Sequence, residues 1–319
     1  MATLSENPSC TATTTQCYTQ LRKEEDSTFL KRHLTRVLYL NEIPGAMDKM
    51  GWTVAAKMMR HWFENKPWKM PPVDRGAYYD NDRNKPIIYA KLDPWKINED
   101  IITMKWARKF PRFEKVLKEY RPQWNISKSR QLLNQRLLEA GWRSGMSKFP
   151  LGIIGQKASV IENINQVNSK TFGNYLDPLD DFYGAIFKAN LHVAVVGFAS
   201  FDPISQHDMF NVTAVGFYIR DTYDFNEGNQ PSDRMVNATT GGLGIWSRDK
   251  MLDKTETADY ITSWLNPAVH LVRFNGFVPV SNGDFYKWTD KHQKGGDFYV
   301  FSDVLWEQPL DKDRQFVIH

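Results

Sequence analysis

Hydrophobic residues in the first half of the chain recur mainly at three- and four-residue spacing. This spacing places apolar side chains on one face of a helix and polar side chains on the other. It predicts helices over residues 30–40, 51–63, 98–110, 112–120 and 127–140. In the last of these, Ser127 is a suitable N-cap and Gly141 follows the expected end, which strengthens the prediction.

From about Lys157 the pattern changes to one that is typical of β-strands. Residues 191–198 are rich in valine, and residues 210–221 alternate apolar and polar positions after a turn, so the two segments are predicted to pair as antiparallel strands. Further short strands are predicted within 241–246, 269–274 and 296–306. The sequence therefore predicts an α+β fold, with a helical N-terminal half followed by an antiparallel β-rich half.

Composition divides the chain into three predicted regions. Residues 1–26 contain few large apolar residues and are expected to form a flexible leader. Residues 27–150 make up a mainly helical, basic, tryptophan-rich region, and residues 151–319 make up the β-rich domain expected to carry the activity. Most of the 11 tryptophans are expected in a core or an interface, because an exposed indole leaves apolar area in water.

Charge and residue usage exclude several classes of function. The formal net charge of +4 is mild, and no segment resembles a nucleic-acid-binding module, so nucleic acid is not expected as a partner. No Cys/His spacing fits a zinc site. No apolar run approaches the ~20 residues of a membrane span, and no signal peptide is recognisable, so we expect a cytoplasmic protein in the producing cell. A basic excess over residues 96–148 indicates either an anionic partner or, more commonly, a solvated helical face.

The end of the second predicted strand carries the candidate chemistry. Val215, Phe217 and Ile219 alternate along one face, and Asp221 and Tyr223 continue the same phase. A second aspartate follows directly, and residues 225–232 are rich in turn-forming residues. Catalytic groups are often found where a rigid strand meets an accessible loop. The structural alternative is a strand that ends in a solvated turn.

These side-chain types suit the hydrolysis of a phosphate ester. Asp221 and Asp224 can hold one divalent cation together with phosphate oxygens and water, or one of them can activate water while the other positions the metal. The hydroxyl of Tyr223 can donate a hydrogen bond to developing negative charge. Arg234 can clamp a phosphoryl group through its planar guanidinium.

Two segments resemble colicin M-type bacteriocins. Asp221-Thr-Tyr-Asp-Phe-Asn226 is similar to the catalytic Asp-x-Tyr-Asp-Phe-Asn stretch that leaves a β-strand in that family, and Gly184-Ala-Ile-Phe-Lys-Ala-Asn190 resembles its Gly-Ala-x-x-x-Asn segment. The resemblance covers about residues 180 to 305. It implies a colicin M-like half-barrel that uses Mg²⁺ to hydrolyse the lipid-linked peptidoglycan precursor (lipid II) between polyprenyl chain and pyrophosphate. It also implies that Asn190 and Asn226 bind substrate.

The chain departs from the family pattern after this stretch. The family has a His-Arg pair where this sequence has Gln230 and Pro231, and a small insertion would align Asp233-Arg234 with the pair. The general base is therefore not assigned by the resemblance. His270 or His292 could supply it from another element, although each is more often an ordinary packed or surface histidine.

The resemblance implies an antibacterial toxin. Its expected partners are the lipid-linked precursor at a membrane surface, a cognate immunity protein and a secretion machinery. We expect delivery to the periplasm of a target bacterium, and type VI secretion fits a chain without a recognisable signal peptide. The alternative is a non-catalytic, secretion-associated binding or adaptor protein that keeps the same fold. Magnesium-dependent hydrolysis of a prenyl-pyrophosphate substrate separates the two.

Overall fold

A computed structural model describes residues 38–71, 87–225 and 243–318. Helices pack against a large mixed sheet that forms a half-barrel, so the predicted α+β fold class is confirmed. The predicted leader over residues 1–26 lies outside the described residues. None of the helices in the described ranges has the length and apolar content that a membrane crossing requires.

The helices lie on both sides of residue 150. They are α1 (Ile43–Lys49), α2 (Thr53–Glu64), α3 (Met104–Ala107), α4 (Pro111–Tyr120), α5 (Ser127–Ala140), α6 (Ala158–Ile164), α7 (Asp181–Ile186), α8 (Lys254–Ser263), α9 (Pro267–Arg273) and α10 (Asn282–His292). Three of the predicted helices, over 51–63, 112–120 and 127–140, are confirmed as α2, α4 and α5. Gly141 ends α5 in the left-handed conformation with φ of 104°, as expected, whereas Ile126 and not Ser127 is the N-cap.

Of the other two helices predicted in the first half, one needs correction and one lies almost entirely outside the described residues. The helix predicted over 98–110 is mostly wrong, because only α3 is helical there. Asn98 ends a strand, and its side-chain oxygen accepts backbone N–H groups from Asp100 (3.3 Å) and Ile101 (3.0 Å), which forms a turn before the Thr103 N-cap. The helix predicted over 30–40 lies almost entirely outside the described residues.

The strands come from the whole described chain. They are β1 (Ile97–Asn98), β2 (Phe149–Leu151), β3 (Gln166–Phe172), β4 (Ala189–Asp202), β5 (His207–Tyr223), β6 (Ile245–Trp246), β7 (Val278–Pro279), β8 (Phe298–Phe301), β9 (Leu305–Glu307) and β10 (Gln315–Val317). The main sheet runs β1-β8-β5-β4-β2, with β9 and β10 also paired to β5 and β3 to β4. The short strands β6 and β7 form a separate pair.

The long hairpin of β4 and β5 is the centre of the sheet. Its strands pair in antiparallel register from Asn190↔Arg220 to Asp202↔His207, as predicted. The register shifts once, between Val196 and Gly197. A Cβ on Gly197 would lie 2.1 Å from the carbonyl oxygen of Asn211, so only glycine allows the two backbones to approach this closely at the bulge.

The segment predicted as a strand over 269–274 is a helix, α9, so that prediction is wrong. Pro267 occupies its first turn, where a missing N–H costs nothing, and the side chain of Asn266 accepts the N–H of Val269. Helices α6, α7, α8 and α10 also lie after residue 150. The second half is therefore less purely β than its alternation indicates.

Helix α2 packs one face into the main core. Trp62 is fully buried, and the N-terminus of α2 is capped from a distance, because Asp181 Oδ1 accepts the N–H groups of Val54 (2.9 Å) and Ala55 (2.8 Å). A carboxylate at this position satisfies orphan donors and complements the helix dipole. Gly184 allows α7 to approach, since a Cβ there would lie 2.9 Å from the Trp52 ring.

Candidate active site

The predicted phase of β5 is confirmed. Val215, Phe217 and Ile219 belong to the main core cluster, and strand alternation places Asp221 and Tyr223 on that same face. Because both faces of β5 are covered along most of its length, these two polar groups emerge at the end of a rigid, buried strand.

An aromatic wall supports the end of β5. Tyr223 is cross-strand to Phe298, and the two rings stack with centroids 5.2 Å apart. Phe225 meets the edge of Tyr223 at 5.5 Å and stacks on Phe285 at 3.6 Å. These contacts fix the direction of the chain on both sides of Asp224, since the two neighbouring side chains are each packed against rings.

Asp221 is costly to ionise. Burial raises the pKa of its carboxyl to about 8, and the charge of Asp224 adds to the shift. The N–H of Thr222 and the charge of Arg220 act in the opposite direction without cancelling it. Burial also raises the pKa of Tyr223, so its hydroxyl keeps its proton and remains a hydrogen-bond donor.

A third carboxylate, which the sequence analysis did not select, lies near this pair. Asp297 is fully buried, and it accepts hydrogen bonds from Trp62 Nε1 (3.0 Å), Tyr286 Oη (2.8 Å) and the backbone N–H of Met70 (2.8 Å). Burial raises its pKa to about 6, and the charge of Asp224 contributes in the same direction. Asp224 therefore acts electrostatically on two carboxyl groups, the half-buried Asp221 and the fully buried Asp297.

The donor set fits Mg²⁺ only in part. Asp221 and Asp224 offer carboxylate oxygens, which Mg²⁺ prefers, and Asp221 lacks a neutralising partner strong enough to restore its ordinary pKa. Across residues 38–71, 87–225 and 243–318, no group of three or more His, Cys, Asp or Glu side chains is arranged to hold a metal. The pair would therefore bind the ion together with phosphate oxygens and water, as is common for Mg²⁺.

The structure does not bring Asn190 to this face. Asn190 is cross-strand to Arg220, so it lies on the side of the sheet opposite Asp221 and Tyr223. Its side-chain oxygen accepts a hydrogen bond from Thr171 at 2.7 Å. The predicted substrate-binding role of Asn190 is therefore not supported by its position. Asn226 and Arg234 lie outside the described residues.

The histidines considered as general base have other surroundings. His270 Nδ1 lies 2.6 Å from Ser263 Oγ, and His292 stacks on Trp288 at 4.5 Å. His61 is nearer to the site, because its ring meets the edge of Phe298 at 4.6 Å. Burial lowers the pKa of His61, which favours the neutral imidazole.

An ionic network occupies the opposite face of β5. His192 Nδ1 lies 2.9 Å from Glu162 Oε2, and Tyr218 Oη donates to the same oxygen at 2.5 Å. Arg220 donates to Tyr89 Oη at 2.8 Å. Burial alone would raise the pKa of Glu162, but the charge and hydrogen bond of His192, the charge of Arg220 and the Tyr218 hydroxyl together lower it to about 2.

A groove of about 440 Å³ lies apart from the end of β5. It is lined by Met104, Lys105, Arg108, Lys109, Glu114, Asp303, Val304, Leu305 and Trp306. Arg108 pairs with Glu114 (2.8 Å), and Asp303 accepts the N–H of Met104 (2.6 Å). The carboxylate of Asp303 therefore has a structural role, because it binds the first backbone N–H of α3.

The comparisons with known proteins concern nearly the whole described chain. A family model described as a family of unknown function, DUF6402, matches residues 38–318. The chain belongs to DUF6402. No curated protein and no solved structure matches this DUF6402 protein. The matched range includes Asp221, Tyr223, Asp224 and Asp297, so the carboxylates described above lie within the family region.

Replacing Asp221 with asparagine should stabilise this DUF6402 protein at alkaline pH. The folded pKa of about 8 lies above the ordinary value of 3.8, so the free energy of unfolding falls as pH rises between the two values. Asparagine resembles the neutral carboxyl and avoids this loss. In thermal melts with a chelator present, we expect the stability difference to be near zero at pH 4 and at least about 1 kcal/mol at pH 9.

The control for this substitution is Asp290→Asn, on the exposed surface of α10. It should melt like the parent protein at every pH. A pH-independent effect of Asp221→Asn would contradict the assignment of a buried, costly charge to Asp221.

Proposed function

We propose that this protein is a phosphoric-ester hydrolase that cleaves lipid II between polyprenyl chain and pyrophosphate, and so acts as an antibacterial toxin. One observation carries the proposal. Asp221 and Asp224 lie within electrostatic reach of each other at the end of a buried strand, with the Asp221 pKa raised to about 8 and Tyr223 on the same strand face as Asp221. Paired, perturbed carboxyl groups are more common at functional sites than in purely structural turns.

The side chains of the site share the tasks of this reaction, and Asp224 has two of them, as general base and as a ligand of Mg²⁺. The attacking water gives its proton to Asp224 as its oxygen bonds to phosphorus, and the bond between phosphorus and the prenyl oxygen breaks. That proton is then available to the departing prenyl oxygen. Tyr223 donates a hydrogen bond to the charge that develops on the phosphoryl oxygens.

Asp221 and Asp224 would hold Mg²⁺ together with the substrate's phosphate oxygens. When bound, Mg²⁺ neutralises phosphate charge and polarises the phosphorus–oxygen bond. Asp221 suits this task because its half-buried carboxylate is costly to ionise by itself and would be stabilised by a nearby cation. A toxin of this kind also needs an immunity protein in the producing cell and a route to the target periplasm, for which type VI secretion is our proposal.

The decisive experiment is a hydrolysis assay with the purified chain. Lipid II in detergent should release polyprenol and the pyrophosphate-linked sugar–peptide when Mg²⁺ is present, and release should stop when the metal is chelated. Asp221→Asn should reduce the rate about a hundredfold or more. If the protein binds lipid II without cleaving it under any metal condition, the hydrolase proposal fails and the non-catalytic adaptor becomes the better account.

A further inference from the structure

The hairpin of α8 and α9 exposes large apolar side chains in its connecting turn and along α9. Leu265 is 92% exposed, Val272 86%, Leu271 69% and Trp264 59%. The tip, defined here as residues 261–272, is neither a loop of small polar residues nor part of the main core. Several large apolar side chains exposed on one element often mark a contact surface.

The hairpin itself is anchored by a small core of its own. Tyr260 and Phe274 are buried in a cluster with Ile245 and Leu252, and His270 packs against the Tyr260 ring at 4.6 Å. One side of each helix is thus used for packing. The hairpin therefore has a core of its own, and the exposed apolar residues lie on the outer surface of this folded element.

The tip contains no carboxylate, ammonium or guanidinium group, and the charges in the rest of the hairpin region balance each other. From Ile261 to Val272 the chain contains no Asp, Glu, Lys or Arg. Over residues 250–273 as a whole, three basic residues match three acidic ones. Arg273, which directly follows the tip, pairs with Asp259 at 2.5 Å, so its charge is neutralised within the hairpin. The net charge of the whole chain is +4, so an anionic surface would not repel it.

The polar side chains of the tip are satisfied within the hairpin. Thr262 Oγ1 donates to the Ala258 carbonyl at 3.1 Å, and Ser263 Oγ donates to the Tyr260 carbonyl at 2.8 Å. Asn266 caps α9. A protein-binding surface normally carries a polar rim that makes directional hydrogen bonds. This tip offers a partner mainly apolar area, which suits a fluid apolar phase.

We propose that the tip inserts into the interfacial region of a lipid bilayer. Leucine and valine side chains would enter the acyl boundary, and Trp264 would lie at the level of the headgroups, where indole rings are favoured. Because the tip is uncharged, its binding depends on apolar burial and is weakly sensitive to salt. This inference rests on the hairpin alone and does not require the proposed hydrolase activity.

Vesicle flotation of the full chain tests the proposal. We expect binding to vesicles of phosphatidylcholine and of phosphatidylcholine with phosphatidylglycerol, with little change between low and high salt. The double variant Leu265→Glu/Val272→Glu should weaken binding at least about tenfold, since two large apolar side chains no longer insert. The matched control is Ile204→Glu, at a position that is 93% exposed in the β4–β5 turn, and it should bind like the parent.

Three results would overturn the proposal. The first is that the double variant and the parent bind equally well, with salt-sensitive binding then pointing to the basic region over 96–148. The second is that the parent does not bind vesicles at all. The third is a concentration-dependent dimer that Leu265→Glu dissociates, which would show that a second copy covers the tip. Thermal melts of each variant confirm that a loss of binding is not a loss of fold.

Discussion

Replacing Asp224 with asparagine is expected to abolish lipid II hydrolysis while leaving the fold intact. Asparagine has the same shape and can still accept a hydrogen bond, so a turn or cap at this position loses at most about 1 kcal/mol. It cannot take a proton from water or provide the negative charge that a metal requires. We expect a rate loss of about a hundredfold or more, and no killing when the variant is directed to the periplasm of a susceptible bacterium.

The matched control for this experiment is Asp253→Asn. Asp253 is also an aspartate at a chain turn, where it caps α8 by accepting the N–H of Glu256 at 2.7 Å, and asparagine can keep that bond. This control should hydrolyse and kill like the parent. A toxic Asp224→Asn variant with normal melting would remove the catalytic role from Asp224 and favour the adaptor function.

Replacing Glu162 with glutamine is expected to cause the largest loss of stability. Burial opposes ionisation of Glu162, but His192, Arg220 and Tyr218 lower its pKa from 4.5 to about 2. A shift of this size corresponds to ~3 kcal/mol of stability at neutral pH. Glutamine keeps the shape but removes the negative charge that bonds to His192 and acts on the charge of the buried Arg220, so denaturant unfolding at pH 7 should show a loss of this order.

The pH dependence of this loss gives a second check. A lowered folded pKa contributes stability that is complete above about pH 4.5 and disappears as the pH falls towards 2. The difference between parent and Glu162→Gln should therefore shrink over that interval. Glu139→Gln, at a half-exposed ion pair with Arg136, should cost less than about 1 kcal/mol. Equal stabilities for the parent and Glu162→Gln at pH 7 would contradict the role of the buried network.

Local patterns predicted the central hairpin but not the helix α9. Alternation and valine content specify β4 and β5 because each strand is long enough for its phase to be unambiguous. Residues 269–274 are too short for that, and an apolar run such as Val269 to Val272 fits a buried strand or a helix equally well. The helix is favoured because His270 and Phe274 pack against Tyr260 of α8. The sequence of residues 269–274 alone does not reveal this contact.

Only the part of the candidate site that lies on β5 could be predicted from the sequence. Asp221 and Tyr223 continue a regular strand phase, so their shared face could be inferred. Asp297 could not, because its partners Trp62, Met70 and Tyr286 come from distant segments. The face that Asn190 occupies was not predictable for a related reason, since it depends on the pairing with Arg220, which spacing along the chain does not reveal.

The register of β4 and β5, which shifts only once, at Gly197, restricts the length of β5. Positions 220 and 221 face opposite sides of the sheet, where one belongs to the Glu162 network and the other to the carboxylate pair. A shift of one residue in pairing would exchange these two side chains, which would remove Arg220 from the Glu162 network and place Asp221 beside Glu162, a group of like charge. The strand therefore cannot drift in length by single residues without damaging both faces at once. A change of length is expected to disturb the fold least at the exposed turn over 203–206, because the two strands are joined there and the register on either side can stay as it is.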